Sequence, residues 1–338
     1  MRVSVFHLVL LAGLAAIGAT GCADAAPSAP PGAEGKPLRI LSLTPNVTEI
    51  LFAMGLGEQV VGRSNYCNYP PEAAALPAVG DTLQLNLQEV IRLQPTVAFL
   101  ITRRSEVPRR LEGLGVRTVA LQSDRMGQML EAIRTIGRET GHETDAGALL
   151  ARIQADLDGV RGRVAGLPQP KVLFAFPMTV GSARIMVAGR GTFVDDLLGV
   201  AGAENAYPEA ADWPSIGPQQ VVALAPQVVI INATGDDAPA DRAEAIRRAW
   251  DSLPSVPAVA AGRVHVLTEA YLTIPGPRVG LAARLLAETI HPDAKGSGAL
   301  RLKAPDPAAP RTSTARSGSG ALRLKAPDPL TAPQERKP

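Results

Sequence analysis

Residues 143–167 read ETDAGALLARIQADLDGVRGRVAGL. No proline interrupts them, and Leu149, Ile153, Leu157, Val160, Val164 and Leu167 recur at spacings of three and four. That period is an amphipathic α-helix. At about 1.5 Å per residue it extends ~35 Å, far enough to link two lobes. Gly159, Gly162 and Gly166 weaken its C-terminal end, because glycine is poorly suited to a helix interior.

The flanks repeat one another. Residues 87–101 read LQEVIRLQPTVAFLI and residues 218–232 read PQQVVALAPQVVIIN. Superposing Pro95 on Pro226 aligns Val90 with Val221, Leu93 with Leu224 and Leu100 with Ile231. Each copy is a short helix, a proline-marked break and a buried strand. GVRTVAL at 115–121 and GRVHVL at 262–267 echo each other in the same order. Further short apolar runs at 38–43, 59–62 and 171–176 read as strands separated by helical patterns, which argues for α/β units with parallel pairing. A helix inside one large domain would show the same period. The duplication favours instead two similar α/β lobes, 38–141 and 168–293, joined by one long helix at 142–167.

The ends are not core. Arg2, an apolar run over 3–17 and small residues leading to Cys22 form a signal-like address, too short to read as a membrane span. Ala19-Thr20-Gly21-Cys22 is similar to a bacterial lipobox, with Ala19 where Leu is usual, and makes Cys22 the candidate lipidation site. The alternative is an ordinary signal peptide cut near Ala25 or Ala26. Residues 23–37, rich in Ala, Pro and Gly, read as a flexible tether. GSGALRLKAPDP occurs at 296–307 and again at 318–329. Two copies cannot build a solenoid, so 294–338 reads as a disordered tail, the alternative being a basic surface-binding segment.

Composition narrows the function. Beyond Cys22 the chain keeps only Cys67, so no intramolecular disulfide is expected and a buried thiol is the expected role. The net charge of +2 is scattered, giving no nucleic-acid footprint. No P-loop or H-E-x-x-H pattern occurs, and the GRG at 189–191 lacks the third glycine of a dinucleotide fingerprint. His142, His265 and His291 are scattered, reading as a helix start, a strand residue and a surface residue. No catalytic residue, protein-held metal or resident cofactor is expected. Asn46 or Thr44 can cap the first helix, with Glu49 as capping-box partner, and Gly191-Thr192 starts another. Trp250 reads as lying on an exterior helix. With aromatics at only 4%, Tyr66, Tyr69 and Trp213, on proline-flanked loops, are candidates for stacking on a planar ligand. Loop anchoring is the alternative, favoured for Tyr69.

RILSLTPNVTEILFAMGLGEQVVGRSNYCNYPPEA (39–73), AGRGTFVDDLLGVAGAEN (188–205), Trp213-Pro214 and PGPR (275–278) resemble, in this order, the class III periplasmic binding proteins of the cobalamin and iron-chelate ABC importers. The resemblance spans 38–292. It implies a ligand cleft between the two lobes and delivery of a metal chelate, a corrinoid such as cobalamin, to an ABC importer permease by a monomeric lipoprotein of the periplasm or cell surface. On its motifs Tyr66, Phe176 and Trp213 fall on cleft-lining positions and Tyr271 near another. Arg190 and Arg278 are placed to serve the polar side chains of a corrinoid or an anionic siderophore.

The departures are specific. Two cleft aromatics of the cobalamin-binding members fall near Thr82 or Leu83 and near Ile101, and their Asp–Arg pair falls near Ala270 and Ile274. Asp81 stands where haem-binding members carry a Tyr ligand, which disfavours haem. The permease-docking glutamates fall on Gln88 and Gln219, with Glu89 adjacent to the first. A ferric siderophore-binding protein is the main alternative, and an extracytoplasmic enzyme on a two-lobed scaffold a weaker one.

Overall fold

A computed structural model describes residues 37–81, 84–101, 106–177, 184–209, 212–234 and 240–295. The readings made on the signal segment, Cys22, the tether up to residue 36, Thr82, Leu83 and the repeat-bearing tail from residue 296 lie outside the described residues.

The first lobe runs through β1 (Ile40–Ser42), α1 (Pro45–Ala53), β2 (Val60–Arg63), α2 (Pro71–Ala74), α3 (Leu87–Leu93), β3 (Val97–Ile101), α4 (Val107–Glu112), β4 (Arg117–Leu121) and α5 (Met126–Thr140). After α6 (Glu143–Val164) come β5 (Lys171–Ala175), β6 (Ile185–Met186), α7 (Phe193–Val200), β7 (Glu204–Asn205), β8 (Ser215–Ile216), α8 (Pro218–Leu224) and β9 (Val228–Asn232). The chain then forms α9 (Ala240–Arg248), α10 (Pro257–Ala260), β10 (Val264–Leu267) and α11 (Val279–Ile290).

The duplication read from sequence is a duplication of topology. The first sheet has the order β2-β1-β3-β4 and the second β7-β5-β9-β10, all parallel. Thus β5 takes the place of β1, β9 that of β3 and β10 that of β4. The equivalence extends to single residues. Gln94 and Ala225 end α3 and α8 in the same left-handed conformation, φ 46° in both. The Arg39 amide donates to Thr96 Oγ1 at 3.0 Å, and the Lys171 amide to Gln227 Oε1 at 2.9 Å. Helices cover both faces of each sheet, so the central strands VAFLI and VVIIN are apolar except for the closing Asn232. Alternate side chains enter different cores. Phe99 and Ile230 join the central cluster, while Leu100 and Ile231 join the outer clusters of their own lobes.

The central cluster is continuous through α1, α5, α6, α7 and α11. In α6, Ala146, Leu149, Ile153, Leu157 and Val160 are buried, and the helix packs against α5 of the first lobe and α11 of the second. It ends at Val164, three residues short of the expected Leu167, and Gly166 takes a left-handed φ of 78°. At 22 residues its length is ~33 Å.

Two glycines permit these contacts. A Cβ on Gly137 would stand 2.7 Å from Ala146 Cβ, and one on Gly280 would stand 2.6 Å from Asp156 Cβ. Neither obstacle can swing aside, because each is itself a Cβ. Gly137→Ala and Gly280→Ala should each lower stability by about 1–3 kcal/mol, the usual cost of overpacking. Denaturant titration checks this; a stability gain in either variant would show that the helices are not closely apposed there.

Two expectations are corrected. Trp250 does not lie on an exterior helix. It follows α9 in a 3-10 turn, Ala249–Ser252, and is 2% exposed in the outer core of the second lobe. The helical pattern continues past Arg248, but the tightened turn swings the indole inward. Glu49 forms no capping box either: Thr44 is the N-cap without a side-chain bond, Pro45 occupies the first turn, and the Glu49 carboxylate accepts from Arg278 instead. Cys67 is a buried free thiol.

Candidate functional site

In parallel α/β sheets the loops leaving the carboxyl ends of the strands collect on one side, where ligands bind. Most of the candidate residues sit on such loops. Tyr66 and Tyr69 follow β2, Phe176 follows β5, and Tyr271 follows β10. Between the lobes lies a cavity of about 190 Å³. The first lobe lines it with Ser123 and Asp124, just beyond β4. The second lobe contributes Thr192, Phe193 and Val194 at the start of α7, together with Asp212, Trp213, Thr273 and Pro275.

Trp213 packs edgewise on Phe176, centroids 5.4 Å apart at 60°, and Phe176 packs on Phe174 at 6.3 Å and 85°. Phe174 is fully buried in β5, so this chain of rings runs from the sheet core to the cavity wall. It holds the indole by packing rather than by a flexible loop. Tyr66 is 66% exposed, leaving about two-thirds of its surface open for contact. Arg190 is exposed at the turn before α7.

Arg278 is already engaged. Its Nε donates to Glu49 Oε2 at 2.8 Å and its Nη2 to Glu49 Oε1 at 2.5 Å. The guanidinium lies 3.9 Å from the centre of the Tyr69 ring and 5.2 Å from that of Tyr271. Burial pushes the Glu49 carboxyl up from its ordinary pKa, and the hydrogen bonds and charge of Arg278 oppose this. Burial likewise raises the Tyr271 phenol, with the Glu269 charge adding to it. Tyr69 thus anchors its loop through Arg278. Two further contacts cross between the lobes: the Met126 amide donates to Asp196 Oδ2 at 2.8 Å, and the Arg125 guanidinium lies against Gly191. Gly191 has φ 83°, and a side chain there would collide with that guanidinium.

Gln88 and Gln219 are exposed in the first turns of α3 and α8. Glu89 is held by Arg92, whose Nε donates to Oε2 at 2.9 Å. That hydrogen bond keeps its carboxyl below the ordinary pKa. Ile101 ends β3 half-buried, beside the central cluster. Among the described residues no group of three His, Cys, Asp or Glu side chains could hold a metal ion. Ser123, Asp124, Asp212 and Thr273 were not read from sequence; the position of Ser123 and Asp124 just past strand β4 was the available signal.

Residues 40–271 match the family model described as periplasmic binding protein. The chain belongs to the periplasmic binding protein family. Membership places it outside the cytoplasm; no helix among the described residues is long and apolar enough to cross a membrane. An ABC transporter substrate-binding lipoprotein of Bacillus subtilis (strain 168), YvrC, is 27% identical over 263 residues, covering 76% of this chain and 81% of the relative. The vitamin B12-binding protein of Pectobacterium carotovorum subsp. carotovorum (strain PC1) is 25% identical over 271 residues, covering 78% and 92%. The periplasmic heme-binding protein BhuT, solved in complex with two hemes, superposes with a TM-score of 0.67 at 26% identity, covering 76% of this chain and 98% of that one. BhuT shares the two-lobed α/β architecture described above.

Proposed function

We propose that this chain is a lipid-anchored extracytoplasmic binding protein that captures a corrinoid such as cobalamin between its lobes and presents it to an ABC importer. The observation that carries the reading is the ring series Phe174–Phe176–Trp213, which ends at a cavity lined by both lobes. A macrocycle offers a wide planar face to such an indole, and its amide side chains match Ser123 and Thr273. At about 190 Å³ the cavity is smaller than the several hundred Å³ of an enclosing ligand pocket. In this reading the ligand is clasped between two surfaces: Trp213, which lines the cavity, with Phe176 and Tyr271 on one lobe, Tyr66 on the other and Arg190 at the rim, these four standing outside the cavity wall itself. Its metal arrives inside the chelate. The similarity to a vitamin B12-binding protein supports this choice.

Haem is a second reading, favoured by the similarity to BhuT. Against it stands Asp81 in place of the tyrosine expected after β2. Native mass spectrometry of the mature chain, mixed in turn with cyanocobalamin, cobinamide, haemin and ferric siderophores, separates the readings. Retention of the two corrinoids alone is the expected result. Retention of haemin or a siderophore alone would replace the corrinoid assignment, and retention of none by folded protein would remove the chelate reading.

The permease contact is assigned to Gln88 and Gln219, equivalent in the two lobes, with Glu89 beside the first. Docking at these positions rests on hydrogen bonds from neutral amides. The membrane anchor is assigned to Cys22. Cys22→Ala should appear in the soluble fraction or retain its signal segment; a variant processed and membrane-bound like the parent would place the anchor elsewhere.

A further inference from the structure

Glu49 and Arg278 stand 229 positions apart in sequence, one on α1 of the first lobe and the other at the entry to α11 of the second. Their side chains are 2% and 14% exposed. Ion pairs along α5 and α9, such as Arg138 with Glu131, lie in solvent with both partners about half exposed. Surface pairs of that kind add little to stability. A buried pair recovers little of its desolvation cost, and its best-attested use is to fix geometry. The planar fork of Arg278 is suited to that task, because two parallel hydrogen bonds specify direction as well as distance.

What the fork fixes is visible in its neighbours. Tyr69, under the guanidinium, belongs to the loop that carries Tyr66. Tyr271 belongs to the loop that continues to the cavity-lining Thr273 and Pro275. Between Pro275 and Arg278, Gly276 brings the backbone against α1, where an added Cβ would meet Glu49 Oε2 at 3.4 Å and Asn46 Cα at 3.8 Å. One side chain therefore ties α1 and the β2 loop of the first lobe to the β10 loop of the second.

We infer that Arg278 is a positioning residue: with Glu49 it forms a cross-lobe brace that sets the width of the cleft and the spacing of the aromatic loops on its two sides. Its carboxylate bonds and stacked ring occupy the guanidinium, so its effect on ligand passes through Tyr69 and Tyr271. The brace acts whether or not a corrinoid is the ligand, and its test uses none.

Spin labels on Glu72→Cys and Gln220→Cys, exposed residues of α2 and α8, report the lobe-to-lobe distance in the full chain carrying Cys22→Ser. Cys67 is fully buried and does not label. The parent should give one narrow distance distribution. Glu49→Gln and Arg278→Lys should broaden it and shift it to longer distance while unfolding remains cooperative. Arg278→Lys keeps the charge opposite Glu49 and supplies the reading if Glu49→Gln does not fold. A parent-like distribution in a folded variant would overturn the brace.

Discussion

Trp213→Ala should weaken corrinoid capture about thirtyfold. The expectation follows from the place of the indole. It lines the cavity, and Phe176 fixes its plane from behind. A rigid aromatic loses little conformational entropy when it stacks, and removing one at the centre of a contact costs roughly 2 kcal/mol or more. That energy corresponds to a factor of about thirty in dissociation constant. Isothermal titration with cyanocobalamin measures it, and thermal melting of the same variant checks that the lobe stays folded. Binding should also quench Trp213 fluorescence in the parent. Equal affinity in folded Trp213→Ala and parent would remove the indole from the site and Phe176 with it.

Trp250→Ala has the opposite profile: a large loss of stability with no direct effect on the ligand. At 2% exposure this indole fills the outer core of the second lobe, in a cluster with Val221, Ile231 and Val256. Truncating a buried tryptophan leaves a cavity and costs about 3–5 kcal/mol. In a fold of this size that lowers the melting temperature on the order of 10 °C. Differential scanning calorimetry should show the shift, whereas Trp250→Phe should retain most of the stability. A melting temperature within a degree or two of the parent would mean that the site collapses around the missing ring. Because Trp250 is shielded from solvent, Trp250→Phe is also the suitable background in which to read Trp213 fluorescence alone.

The parts of the fold that were legible in sequence are those with local causes. Strands β3 and β9 are buried on both faces and therefore appear as apolar runs, broken only by Asn232 at the end of β9, each set off by a proline after a short helix. Helix α6 announces itself by its period and lacks proline. Strands β6, β7 and β8, two residues each, are too short to carry a period. Glu49 shows how a local rule misleads. Three residues after Asn46 it fits a capping box, yet its partner lies 229 positions away, and no spacing rule reaches that far. Trp250 fails for a related reason, since the helical pattern before it does not reveal that the last turn tightens. In the candidate site, loop aromatics beside prolines pointed to Tyr66 and Trp213. The ring contact between Phe176 and Trp213 joins different segments and became visible only when β5 and the loop before β8 were placed side by side.

Hydrogen exchange of the mature chain with and without cyanocobalamin tests the central claim most directly. The ligand should slow exchange on both lobes at once, around residues 64–69 and 123–125 of the first and around 190–193, 213–215 and 271–276 of the second. Slowed exchange confined to one lobe, or an unchanged pattern at saturating cyanocobalamin, would contradict capture between the lobes.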